Sequence, residues 1–275
     1  ALRAPPEGER LLAAEHEGSV TVWTLADGTE RLRLATMLSA HELREARSVQ
    51  LALHPDGVRL FSTVSIVDGG DVAHAWSLAT GDLLDRHVAP SVRGGFLGDH
   101  EMVTASGLHL TVSNFETGET SRRMRRDDIS WHVIGLIGDH AVVRGRARLE
   151  LWNVRSGALR WQMPHADSRA AAIAGDLVVV ASPGQLALRA VDGAEVRRIV
   201  VPELVDNGLD WSLEIGGDTA VLQHTASELV AIDLRTGAIR SRFVQPSLAE
   251  VVVAPTGDEA TVWSPLERTA SVWSV

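Results

Sequence analysis

Arg122, Arg123, Arg125 and Arg126 crowd one short run, SRRMRRDD at residues 121–128, and Trp131 follows it directly. A planar guanidinium forks two hydrogen bonds onto a carboxylate, and an adjacent indole adds apolar area. That pairing of residue types is the one enriched where proteins grip proteins. Trp211 follows the longest middle loop, VPELVDNGLD at residues 201–210, much as Trp131 follows the arginines. These six residues are the expected partner-binding patch, and its natural counterpart is an acidic segment of another protein. The competing reading of the run is a solvated outer strand. Other chemistry is thinly supplied. Eleven His are present, but the close groupings, His100 with His109 and His132 with His140, lack the His-x-x-x-His spacing and the neighbouring Glu of a zinc helix. Zero Cys removes thiolate nucleophiles, disulfides and Cys-ligated zinc. No Gly-x-Ser-x-Gly elbow and no phosphate-cradling glycine loop with Lys occurs, and the basic residues are Arg almost throughout. No catalytic residue, metal ligand or cofactor site is therefore expected.

The elements that would position the patch follow from a repeat. Third strands and the turns after them read SVTVWTLADG (19–28), VAHAWSLATG (72–81), LTVSNFETG (110–118), LELWNVRSG (149–157), LALRAVDG (186–193), LVAIDLRTG (229–237) and TASVWSV (269–275). Equivalent positions are Trp23, Trp76, Ser113, Trp152, Leu188, Ile232 and Trp273, at intervals of 53, 37, 39, 36, 44 and 41. A Gly stands five residues after the first six of them. Each repeat also carries an earlier Gly/Asp turn: PPEG (5–8), HPDG (54–57), GDH (98–100), GDH (138–140), GD (175–176), GGD (216–218) and PTGD (255–258). Such residues accept the positive φ of tight hairpins or preset φ at their entry. Apolar inner strands such as IAGDLVVVA (173–181) and polar, alternating outer strands such as AIRSRF (238–243) complete a four-strand unit. A period near forty built this way is a β-propeller blade. The expected fold is all-β: residues 1–275 as one domain, a seven-bladed propeller of four-stranded blades. Its last blade lacks a fourth strand, and its end blades pack on each other to close a ring.

The second repeat, residues 39–84, resembles a WD-repeat unit. Ala40-His41 stands at the Gly-His position, HPDG at the Ser-Pro-Asp-Gly turn, and AWSL at the Trp-Asp end, where Ser77 replaces Asp. HEGSVTVW (16–23) and LERTASVW (266–273) resemble the family's third strand. Residues 149–163 and 229–243 are instead similar to quinoprotein-type blades. The WD resemblance implies a structural hydrogen-bonded tetrad of His41, Ser62 or Thr63, Asp68 and Trp76. It also implies that Trp23, Trp152 and Trp273 are packing residues at equivalent places.

A formal charge of −10 argues against nucleic acid as a partner. No apolar run has the length of a membrane span, and no signal peptide opens the chain. The absence of Cys fits the cytoplasm, although a periplasmic protein without disulfides has the same composition. The expected function is a non-catalytic interaction or sensor module that serves a protein partner or an attached effector domain within a larger, bacterial-looking polypeptide. The rival readings are a propeller-based hydrolase or quinone-dependent enzyme, and an envelope assembly scaffold.

Overall fold

The computed structural model describes residues 2–3, 10–14, 19–24, 29–35, 38–39, 46–54, 58–66, 70–89, 93–98, 100–114, 117, 119–206, 211–225, 227–244, 250–254, 256–264 and 269–275. His41 and Asp68 lie outside the described residues. The chain falls into two compact units, Ala1–Val133 and Ile134–Val275.

The first unit holds two four-stranded antiparallel meanders. One runs β1 (Leu2–Arg3), β2 (Arg10–Ala14), β3 (Val20–Thr24), β4 (Glu30–Leu34). The next runs β5 (Ala46–Leu53), β6 (Arg59–Ile66), β7 (Gly70–Ser77), β8 (Leu83–Ala89). They stack face to face: Val20, Val22 and Leu34 of the first share one core cluster with Leu51, Leu60 and Trp76 of the second. The third repeat departs from expectation. After β9 (Arg93–Leu97), β10 (Glu101–Asn114) covers both expected middle strands, their connection reduced to a register slip between Gly107 and His109. β11 (Thr120–Ile137) then spans the expected fourth strand and the first strand of the next repeat, and passes from one unit into the other. Its pairing with β10 skips residues 126–129, since Gly107 faces Ser130 and His109 faces Arg125, so a wide bulge stands where the connection was expected.

In the second unit β12 (His140–Gly145), β13 (Arg148–Asn153) and β14 (Ala158–Pro164) follow, then a short 3-10 turn, His165–Asp167. Two complete meanders come next. They are β15 (Ala170–Ala174), β16 (Leu177–Ser182), β17 (Gln185–Arg189), β18 (Glu195–Val200), and β19 (Ser212–Gly216), β20 (Thr219–Gln223), β21 (Glu228–Asp233), β22 (Ile239–Val244). The last sheet has three strands, β23 (Glu250–Val253), β24 (Glu259–Ser264) and β25 (Thr269–Ser274), as the repeat count requires. Successive sheets again share cores. Val142, Leu149 and Leu151 pack with Val178 and Val180, and Leu186 and Leu188 pack with Leu222 and Ile232. Val221, Leu229 and Phe243 pack with Val251 and Val262. First strands lie beside first strands, β15 with β19 and β19 with β23. Stacked antiparallel meanders of this kind are a β-propeller arrangement. Among the described residues, no helix is long and apolar enough to cross a membrane.

Candidate functional site

The repeat's signature residues have a local physical reason, visible where the third strand turns into the fourth. A β-bulge interrupts that ladder between Val22 and Trp23, Ala75 and Trp76, Val112 and Ser113, Leu151 and Trp152, and Ala231 and Ile232. In the fifth repeat it falls one residue later, between Leu188 and Arg189. The bulge coincides with the Trp-equivalent position, where one extra residue sharpens the strand's twist before the chain reverses. The next residue is polar and caps the turn. Ser77 Oγ accepts the Thr80 N–H (3.3 Å), Asn114 Oδ1 that of Thr117 (3.0 Å), Asn153 Oδ1 that of Ser156 (2.7 Å) and Asp233 Oδ1 that of Thr236 (2.8 Å). The carbonyls of Ser77, Asn153 and Asp233 each accept the turn Gly N–H at 2.8 Å. Gly81, Gly157 and Gly237 hold φ of 81°, 75° and 80° there, a region that favours residues without a Cβ. Ser77 in place of Asp is thus a change of acceptor, with the hydrogen bond kept.

Of the residues expected to form a tetrad, Ser62 and Trp76 are hydrogen-bonded. Trp76 is 3% exposed and its indole N–H donates to Ser62 Oγ at 3.0 Å. His74, which the repeat pattern did not single out, stacks on the same indole with ring centroids 5.6 Å apart. Trp152 is buried too, and donates to Glu150 Oε2 at 2.7 Å. Trp23 and Trp273 are half-buried at the equivalent strand positions, Trp273 lying edge-on to Phe243 at 4.9 Å.

The sixth repeat carries the densest polar network. Arg240 Nε donates to Asp233 Oδ2 at 3.1 Å, and its Nη1 donates to Thr219 Oγ1 at 2.9 Å. Thr219 in turn donates to the Gly257 carbonyl at 2.6 Å, tying the sixth repeat to the seventh. The Arg240 guanidinium, helped by the Thr236 backbone N–H, holds the Asp233 carboxyl far below the usual carboxylate range.

The arginine run divides by the period of a strand. Arg122, Arg123 and Arg125 are exposed, whereas Met124, Arg126 and Asp128 are buried. Arg123 Nη2 lies 3.2 Å from His109 Nδ1 on the paired strand β10. Arg122 and Arg125 form no salt bridge among the described residues, while Arg33, Arg155, Arg169, Arg198, Arg240 and Arg242 each meet an acidic residue. Arg126, at 1% exposure, offers no contact surface, so the patch as expected loses that member to the interior.

Trp211 is also a correction. It is 4% exposed, belongs to the core shared by the fifth and sixth repeats, and meets His224 edge-on at 6.0 Å. An indole immediately before an innermost strand is drawn between sheets by its own apolar area, which outweighs an N–H without an acceptor among the described residues. Burial pushes the His224 imidazole pKa down, Glu228 opposing and Arg242 adding to the effect. The backbone of Trp131 lies in β11; its side chain is outside the described residues. Among the described residues no group of three His, Asp or Glu is placed to hold a metal ion.

Sequence reasoning passed over Trp161, on outer strand β14. The signal was available: outer strands elsewhere are polar, and a Trp inside ALRWQMP breaks the pattern. No protein-family model matches this chain, and no curated protein matches it.

Proposed function

We propose that this chain is a non-enzymatic interaction module, a WD-repeat-like ring of seven blades serving a protein partner or an attached effector domain. One observation carries the reading. In a chain of net charge −10, Arg122, Arg123 and Arg125 stand exposed on one strand, and Arg122 and Arg125 form no salt bridge among the described residues. Arg side chains cost considerable rotamer entropy to order, and such residues are most useful when a partner supplies the carboxylates. The partner surface read from this chemistry is acidic, so association weakens as ionic strength rises.

The test uses a fluorescein-labelled decaglutamate peptide as probe and the double variant Arg122→Glu/Arg125→Glu. Both side chains are exposed, so the variant keeps the fold. Wild-type protein is expected to bind the probe at low salt, more weakly at physiological salt, and the variant not at all. Equal binding by the two proteins assigns the acidic partner to another surface or to none.

A further inference from the structure

The second unit contains a groove of about 640 Å³ between the outer strand β14 and the neighbouring sheet. One wall is Trp161 and Met163, alternate residues of β14 that rest on the shared core of the two sheets. The facing wall is Gln185, Ala187 and Arg189, the alternate residues of β17 whose intervening neighbours, Leu186 and Leu188, turn into the next core. Ala187, the smallest side chain of that wall, leaves the space at its centre. Gly193 completes one end: a Cβ there would stand 3.0 Å from Trp161 Cδ1, so the indole lies where only a glycine admits it.

Three features describe what fits. First, the groove runs the length of β17, five residues or about 17 Å at strand rise. β14 pairs on one side only, with β13, and as the last strand of its meander has an open edge of backbone donors and acceptors. Secondly, an exposed apolar side chain borders it: Val200, 69% exposed, lies on β18 opposite Gln185 of the wall. Thirdly, the charges do not balance. Arg189 and Arg198 both meet Glu195 at one end, whereas Asp167 at the other end is exposed and forms no salt bridge among the described residues. The Trp161 indole N–H has no acceptor among the described residues. The ring is held by packing alone, so a bound carbonyl can recover the missing bond by a rotation that breaks no hydrogen bond.

We propose that this groove binds an extended segment of another protein, with alternating apolar side chains and a lysine or arginine at the end that meets Asp167. The open strand edge, the strand length and the apolar side chains of Trp161, Met163 and Val200 select an extended chain over a compact ligand. Asp167 sets the charge and the direction. The groove shares no residue with the arginine run of β11, and its test does not depend on that reading.

The probes are capped, fluorescein-labelled hexapeptides alternating leucine and serine, with one lysine at either terminus, their glutamate counterparts, and an all-serine control. Anisotropy titration of the wild-type protein is expected to rank a lysine peptide above its glutamate counterpart by about two- to five-fold, the range of an exposed ion pair. The all-serine control is expected not to bind. Asp167→Lys, at an exposed position, is expected to reverse the ranking. Ala187→Phe is expected to fill the groove and abolish binding. Equal affinity for lysine and glutamate peptides, an unreversed ranking in Asp167→Lys, binding of the all-serine control, or no binding of any peptide overturns the proposal. The charge reversal stands as a test even if Ala187→Phe fails to fold.

Discussion

Asp233 has three tasks in one carboxylate: it caps its turn through the Arg235 and Thr236 N–H groups and anchors Arg240, which reaches on to Thr219. Because the folded protein holds this carboxyl below its ordinary range, its contribution is complete above about pH 4 and is lost as pH falls further. Asp233→Asn is therefore expected to lower the melting temperature at pH 7, and the gap to wild type to shrink below about pH 4. A gap that stays constant to pH 3 would show that the charge is not what Asp233 supplies. His224 acts in a higher window. Its neutral form is favoured in the folded state, so stability falls as pH drops through about 6.5, the unfolded imidazole value. His224→Gln is expected to flatten the melting-temperature profile between pH 7 and pH 5 while leaving the acid limb intact. At Trp76, Phe is expected to cost about 1 kcal/mol through the lost bond to Ser62. Ala is expected to cost about 3–5 kcal/mol through the cavity. Urea unfolding of both variants separates the two contributions.

Among elements, the turns explain how much was readable beforehand. Spacing alone revealed the Trp-equivalent positions and their glycines, because bulge, cap and positive φ are all local demands that recur in several repeats. Two glycines with similar φ give a quantitative check: Gly184 at 77° and Gly237 at 80°. A Cβ on Gly184 meets nothing within 4 Å, whereas one on Gly237 would lie 2.7 Å from Ile199 Cγ2. Gly184→Ala is expected to cost about 1 kcal/mol from backbone strain, and Gly237→Ala measurably more, because a branched core side chain must also move. Equal costs in denaturant titrations would mean that Ile199 yields freely. What the sequence hid was partition between faces. Arg125 and Arg126 are neighbours of one type, yet one is exposed and the other buried, and Trp211 is buried although Asp210 and Ser212 flank it in the sequence. The third repeat was hidden for a different reason: without Gly or Pro at residues 127–130, the expected connection is a bulge of residues 126–129 within one long strand.

For the molecule as a whole, the proposed closed ring predicts a radius of gyration of about 19 Å, the value for a compact chain of this length. Small-angle scattering giving a markedly larger value would mean an open arc of sheets. A different consequence follows from a small bond between the first turn and the end of the third strand. Leu78 donates to the Val58 carbonyl, Val154 to Asp139, Leu234 to Asp218 and Val275 to Asp258, pairs only 15 to 20 residues apart. Each of these four repeats is thereby latched within itself, before its neighbours are needed. Ribosomes release about 5–20 residues per second, so roughly forty residues emerge over about 2–8 s, while a hairpin closes in about 1–10 μs. Synthesis is the slow step by several orders of magnitude. The nascent chain is thus expected to accumulate latched sheets one at a time, with a single wet apolar face always waiting for the next to arrive.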